Sequence, residues 1–109
     1  MTFVTVFRRV PKPITGMIGI LYDREFERFE ATLDWLETTG VLVEQFDPST
    51  AQKEVAKRPA VQQILSAEGV RCLPLILVNE SVVSRGTYLS RAQLARAVGQ
   101  GQGWERLVA

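Results

Sequence analysis

Histidine is missing from this chain altogether, and cysteine occurs once, as Cys72. The first absence excludes imidazole acid–base catalysis, histidine metal ligation and Cys–His nucleophiles. The second excludes an intrachain disulfide, a paired-thiol redox couple and any site built from several thiolates. Net charge is equally scarce. With 13 Lys and Arg against 12 Asp and Glu the balance is +1, so nothing global draws the chain to nucleic acid or to a membrane surface. The longest apolar run, Leu73–Val78, is far too short to cross a bilayer, and Arg8 and Arg9 break the opening segment before it forms a secretory core. The sequence therefore reads as a cytoplasmic protein with no membrane segment. No repeat, low-complexity tract or linker divides its 109 residues, enough for one core but not two.

What is present is a regular alternation of short elements. Thr2 to Phe7 alternates and is β-branched, which predicts a strand; residues 8–19 hold two prolines and two glycines and predict a loop. From Asp23, a plausible N-cap, Phe26, Phe29, Leu33 and Leu36 recur at helical spacing up to Gly40, a glycine suited to a left-handed stop. Val41 to Phe46 predicts a second strand, and Asp47-Pro48-Ser49 a turn leading into a short helix. Pro59 suits the first turn of the next helix, which carries Val61, Ile64 and Leu65 inward and stops at Gly69. Leu75 to Val78 is apolar on both faces, as a central strand covered by helices should be. Asn79-Glu80-Ser81 turns it into Val82–Arg85 as a hairpin. Ser90 and Gln93 form a capping-box pattern for a last helix, with Leu89 and Leu94 as a staple and Gly99 as its end.

A βαβ unit, a helix, a hairpin and a closing helix make an α/β domain. It resembles the thioredoxin-like fold, a four-stranded mixed sheet with flanking helices, over residues 1–99, followed by a tail over 100–109. In that fold a cis proline enters the central strand beside the first loop, and Pro74 stands in that place.

The motifs Asp34-Trp35-Leu36, Val41 to Phe46 after Gly40, Leu73-Pro74-Leu75-Ile76-Leu77, Gly86-Thr87-Tyr88 and Arg91-Ala92-Gln93-Leu94-Ala95-Arg96, in this order and spacing, resemble the ArsD family. Members of that family are metallochaperones and weak trans-acting repressors of arsenical resistance operons. The resemblance implies a dimer, an ArsA ATPase as protein partner, DNA as a second partner, and trivalent arsenic or antimony held by a Cys-Cys-x4-Cys set in the first loop. Aligned on Phe7, Thr15, Gly16 and Gly19, those three positions are Lys12, Pro13 and Ile18. None is a soft donor for a thiophilic metalloid. Arg8-Arg9 also replaces the family's Asp-Pro after the first strand. The fold is expected to carry over, and the metal site is expected to be lost.

The remaining candidates are then weighed by residue type. Cys72 is either a lone reactive thiol, its pKa lowered by Arg71 and Lys12, or a small buried residue that happens to be cysteine. Arg8, Arg9 and Lys12 make a basic loop that either binds an anion or is solvated, balancing the acidic residues of the first helix. The apolar residues Pro11, Pro13, Ile14, Met17 and Ile18 beside those charges have the composition of a protein-docking surface. Trp35 and Tyr88 are either surface anchors or core-edge residues, and Trp104, with Leu107 and Val108, either folds back or docks on another chain. Neither paired carboxylates nor a phosphate-cradling glycine loop is present, so no enzyme and no cofactor is expected. The alternative to the family role is a non-catalytic adaptor for an ATPase or a homodimer mate, with an anion- or nucleic-acid-binding module behind it.

Overall fold

The computed structural model describes residues 2–9 and 24–102. Four strands run β1 Phe3–Phe7, β2 Leu42–Phe46, β3 Leu75–Val78 and β4 Ser81–Arg85, with helices α1 Arg24–Thr38, α2 Gln52–Ala56, α3 Pro59–Glu68 and α4 Arg91–Gln102. They form one mixed sheet in the order β2-β1-β3-β4. β1 lies parallel to β2, pairing Phe3 with Leu42 and Phe7 with Phe46, and antiparallel to β3, pairing Val4 with Val78 and Phe7 with Leu75. β3 and β4 are antiparallel. Ile76 faces Ser84 while Leu77 faces Val82, so Val83 is the extra residue of a bulge.

Strand alternation gives the sheet two apolar faces. Val4, Val6, Ile76 and Val78 join Phe29, Leu33 and Leu36 of α1 and Leu94 and Val98 of α4 in one cluster. Phe7, Leu75 and Leu77 meet Val61 of α3 in the other, with Phe46, Val55, Ile64 and Leu65 packed against it. Leu33 is fully buried. Truncating such a residue to alanine costs about 2–5 kcal/mol, a large share of the stability of a domain this size.

The element ends follow local chemistry. α1 stops where Gly40 takes φ 93°, and α3 stops at Gly69 with φ 64°. Asn79 and Glu80 both have positive φ, at 49° and 70°, the conformation that a two-residue hairpin turn requires. Asn79 also anchors that turn to β1, its Oδ1 accepting from the Phe3 amide at 3.0 Å. At α4 the capping box forms: the Gln93 amide donates to Ser90 Oγ at 3.2 Å and the Ser90 amide to Gln93 Oε1 at 2.9 Å.

Two features depart from the sequence reading. A 3-10 turn over Gly69–Cys72, unannounced by any periodicity, joins α3 to β3. α4 does not end at Gly99 but continues to Gln102. Glycine costs only about 1 kcal/mol in a helix interior, and Gly99 is itself buried in the packed turn. The expected tail therefore begins as helix. Asp23, Trp104, Leu107 and Val108 lie outside the described residues.

Candidate functional site at the root of the first loop

β1 leads towards residues 10–23, which lie outside the described residues and hold the positions that align with the family's three thiols. The strand alternation does not stop at Phe7. It carries on to Arg8, which falls on the same face as Val4 and Val6, against α1. Arg8 is only 1% exposed. Its amide donates to the Phe46 carbonyl at 2.9 Å, continuing the β1–β2 ladder. Its Nε donates to Gln45 Oε1 at 3.0 Å, and Nη2 donates to both Gln45 and the Glu30 carboxylate. The guanidinium carbon stands 4.0 Å from the Phe26 ring centre and 5.2 Å from that of Phe29.

Arg8 was expected on the rim of a basic, solvent-facing loop. The structure instead encloses it, because a guanidinium can be buried when a carboxylate neutralises it and aromatic faces replace its hydration. Arg9, the next residue, is exposed. Lys12, Pro13, Ile14, Met17 and Ile18, with Pro11, lie outside the described residues. Of the partners of Arg8, Glu30 is one of the first-helix acids set against the basic loop in the sequence, whereas Gln45 was not singled out. Extending the strand's two-residue period by one position was the signal that pointed inward.

Arg58 occupies a matching place on the other face. It is ion-paired to Glu54 at 3.2 Å and Glu80 at 3.0 Å, and lies 5.5 Å from the Phe7 ring centre and 5.8 Å from that of Phe46. The hydrogen bonds from Lys57 and then Arg58 hold the Glu54 carboxyl below its usual pKa range. A positive charge thus braces the sheet on each side.

Cys72 sits at the end of the 3-10 turn, and the Leu73–Pro74 peptide bond beside it is cis, as the fold resemblance implies. The Gly86 amide donates to the Cys72 carbonyl at 2.8 Å and to the Pro74 carbonyl at 3.0 Å, tying the segment to the end of β4. Cys72 is 1% exposed. Burial pushes its thiol pKa up, with a further push from the Glu68 carboxylate; Arg85 opposes this weakly, and Arg71 is not among the causes. Of the two readings of Cys72, burial and the raised pKa favour the small buried residue over the reactive thiol.

Among the described residues no three His, Cys, Asp or Glu side chains come together as a metal site. Trp35 and Tyr88 are half-buried at the edge of the α1–α4 core, as core-edge residues are. The Tyr88 ring centre lies 4.9 Å from that of Phe29. No helix among the described residues is long and apolar enough to cross a membrane.

Comparison with known proteins agrees with this architecture. The chain resembles an arsenical resistance operon trans-acting repressor ArsD of Escherichia coli, with 31% identity over 99 residues, 91% of this chain and 82% of that protein. A second E. coli repressor of the same name is 32% identical over 85 residues, 78% of this chain and 71% of the relative. The crystal structure of an arsenical resistance operon trans-acting repressor from Bacteroides vulgatus shares the fold, with a TM-score of 0.72 at 21% identity over 90% of this chain and 94% of that one. The family model described as arsenical resistance operon protein ArsD matches residues 1–106. With this match running along nearly its whole length, the chain belongs to the ArsD family.

Proposed function

We propose that this chain is an arsenical-resistance regulator of the ArsD type that works by contacting other macromolecules and has lost direct binding of As(III) and Sb(III). One observation carries the reading. The only thiol in the sequence is Cys72, and it is buried, with its pKa raised by that burial. A trivalent metalloid needs several soft donors at once. Lys12, Pro13 and Ile18 at the family's thiol positions supply none.

Under this reading the protein is not an enzyme, acts in the cytoplasm and uses no cofactor. Its partners are DNA, as the relatives' repressor names suggest, together with an ArsA-like ATPase or a second copy of the chain. Arg9, Lys12, Ile14, Met17 and Ile18 of the first loop are then partner contacts. Arg8 braces the loop's root from within. The reading is tested by a gel shift on the promoter DNA of the protein's own operon, with and without arsenite. Arsenite should leave the complex unchanged. A complex that arsenite dissolves would overturn the reading.

A further inference from the structure

Apart from Glu25, α1 carries its charges in two separate stripes. At 100° per residue Arg24, Arg28 and Trp35 fall on the side towards α4, while Glu27, Glu30, Asp34 and Glu37 fall on the opposite side. Between the first stripe and the start of α4 lies an open groove of about 410 Å³. Phe29, Tyr88 and Leu89 supply its apolar wall, Arg28 and Arg91 line it as cations, and Glu25 is the one acid among its described lining residues. Phe29 is buried, Tyr88 and Leu89 are half-buried, and both arginines are exposed. The Arg91 guanidinium is held 4.8 Å from the Trp35 ring centre, which fixes a long side chain beside the opening.

We infer that this groove docks an acidic segment of a partner protein, with an aliphatic or aromatic side chain as its anchor. Aromatic and arginine side chains around an apolar centre are the composition of a protein-contact surface. The paired arginines select for carboxylates by charge. Nucleic acid fits less well: a duplex site draws on roughly six to ten phosphate contacts, and the groove's described lining supplies only the two arginines as cations. The inference goes beyond the regulator reading by naming a surface and a partner chemistry away from the first loop. It stands or falls without any metalloid.

The test uses the full chain and a fluorescein-labelled peptide of alternating Asp and Leu, with the Lys–Leu peptide and a random duplex DNA as comparisons. The acidic peptide should bind, weaken as salt rises, and shift the backbone amide signals of Arg28, Thr32 and Tyr88 in the wild-type NMR spectrum. Arg28→Glu with Arg91→Glu should lower its affinity by about tenfold or more and confer binding of the Lys–Leu peptide. The Asp34→Ala change on the other stripe should leave affinity unchanged. The wild-type spectrum decides the matter even if the double variant fails to fold. No binding, shifts confined to other surfaces, or DNA competing equally for the groove would each overturn the proposal.

Discussion

The guanidinium of Arg8, at the end of β1, is ion-paired to Glu30 on α1, with the arginine side chain 2% exposed and the glutamate 38%. The two partners are therefore not equivalent. Loss of Glu30 leaves an enclosed cation without its counter-charge, whereas loss of Arg8 leaves a carboxylate that can turn to water.

An asymmetric mutational response follows. Glu30→Ala should destabilise the domain by about 1–3 kcal/mol, since it strands the enclosed Arg8 charge while solvent at the part-exposed glutamate softens the loss. Arg8→Met keeps the side-chain volume against Phe26 and Phe29 and should cost no more than about 1 kcal/mol. Urea denaturation of the two variants checks this; equal losses would mean that Arg8 is held by packing and not by charge.

The cap on α4 gives a smaller, local effect. Ser90→Ala removes the acceptor of the Gln93 amide and should cost about 0.5–2 kcal/mol. Ser90→Asp should recover most of it. Thermal melts followed by circular dichroism report both.

Gly86 is fixed by geometry on two counts. Its φ is 78°, and a Cβ there would lie 2.9 Å from the Arg71 backbone carbonyl oxygen. Gly86→Ala should therefore destabilise by more than about 1 kcal/mol, and because the 3-10 turn must shift to admit the methyl group, Cys72 should become reachable by thiol reagents. An unchanged melting temperature would contradict the close approach.

In the wild type, Cys72 should react with 5,5′-dithiobis(2-nitrobenzoate) far more slowly in buffer than in urea. Its raised pKa sets the sign of the pH dependence. The unfolded chain loses the thiol proton first, so this contribution to stability is complete below the ordinary thiol range and is lost as pH rises through the folded pKa. Cys72→Ser should flatten that alkaline decline.

Most of the fold was legible because each element carries both a period and a terminator: α1 ends on Gly40, α3 on Gly69, and Ser90 with Gln93 opens α4. The hairpin followed from Asn79 and Glu80 between two apolar segments. What escaped the sequence depended on tertiary packing. Gly99 looks like a stop, yet it is buried and α4 runs through it to Gln102. Arg8 looks like a loop charge until Glu30, Gln45 and two phenylalanines close around it. The absence of a thiol cluster was plain from composition, and burial of Cys72 was one of its two readings. The groove between α1 and α4 was not legible, because Arg28 and Arg91 are far apart in sequence and only the docking of α4 brings them to one opening.

The central claim is that an ArsD-family chain has kept the fold and lost the metalloid site. Titration of the purified, reduced protein with arsenite, followed by native mass spectrometry, tests it most directly. The account predicts no stable adduct at micromolar arsenite. A tight one-to-one adduct that survives Cys72→Ser would contradict it.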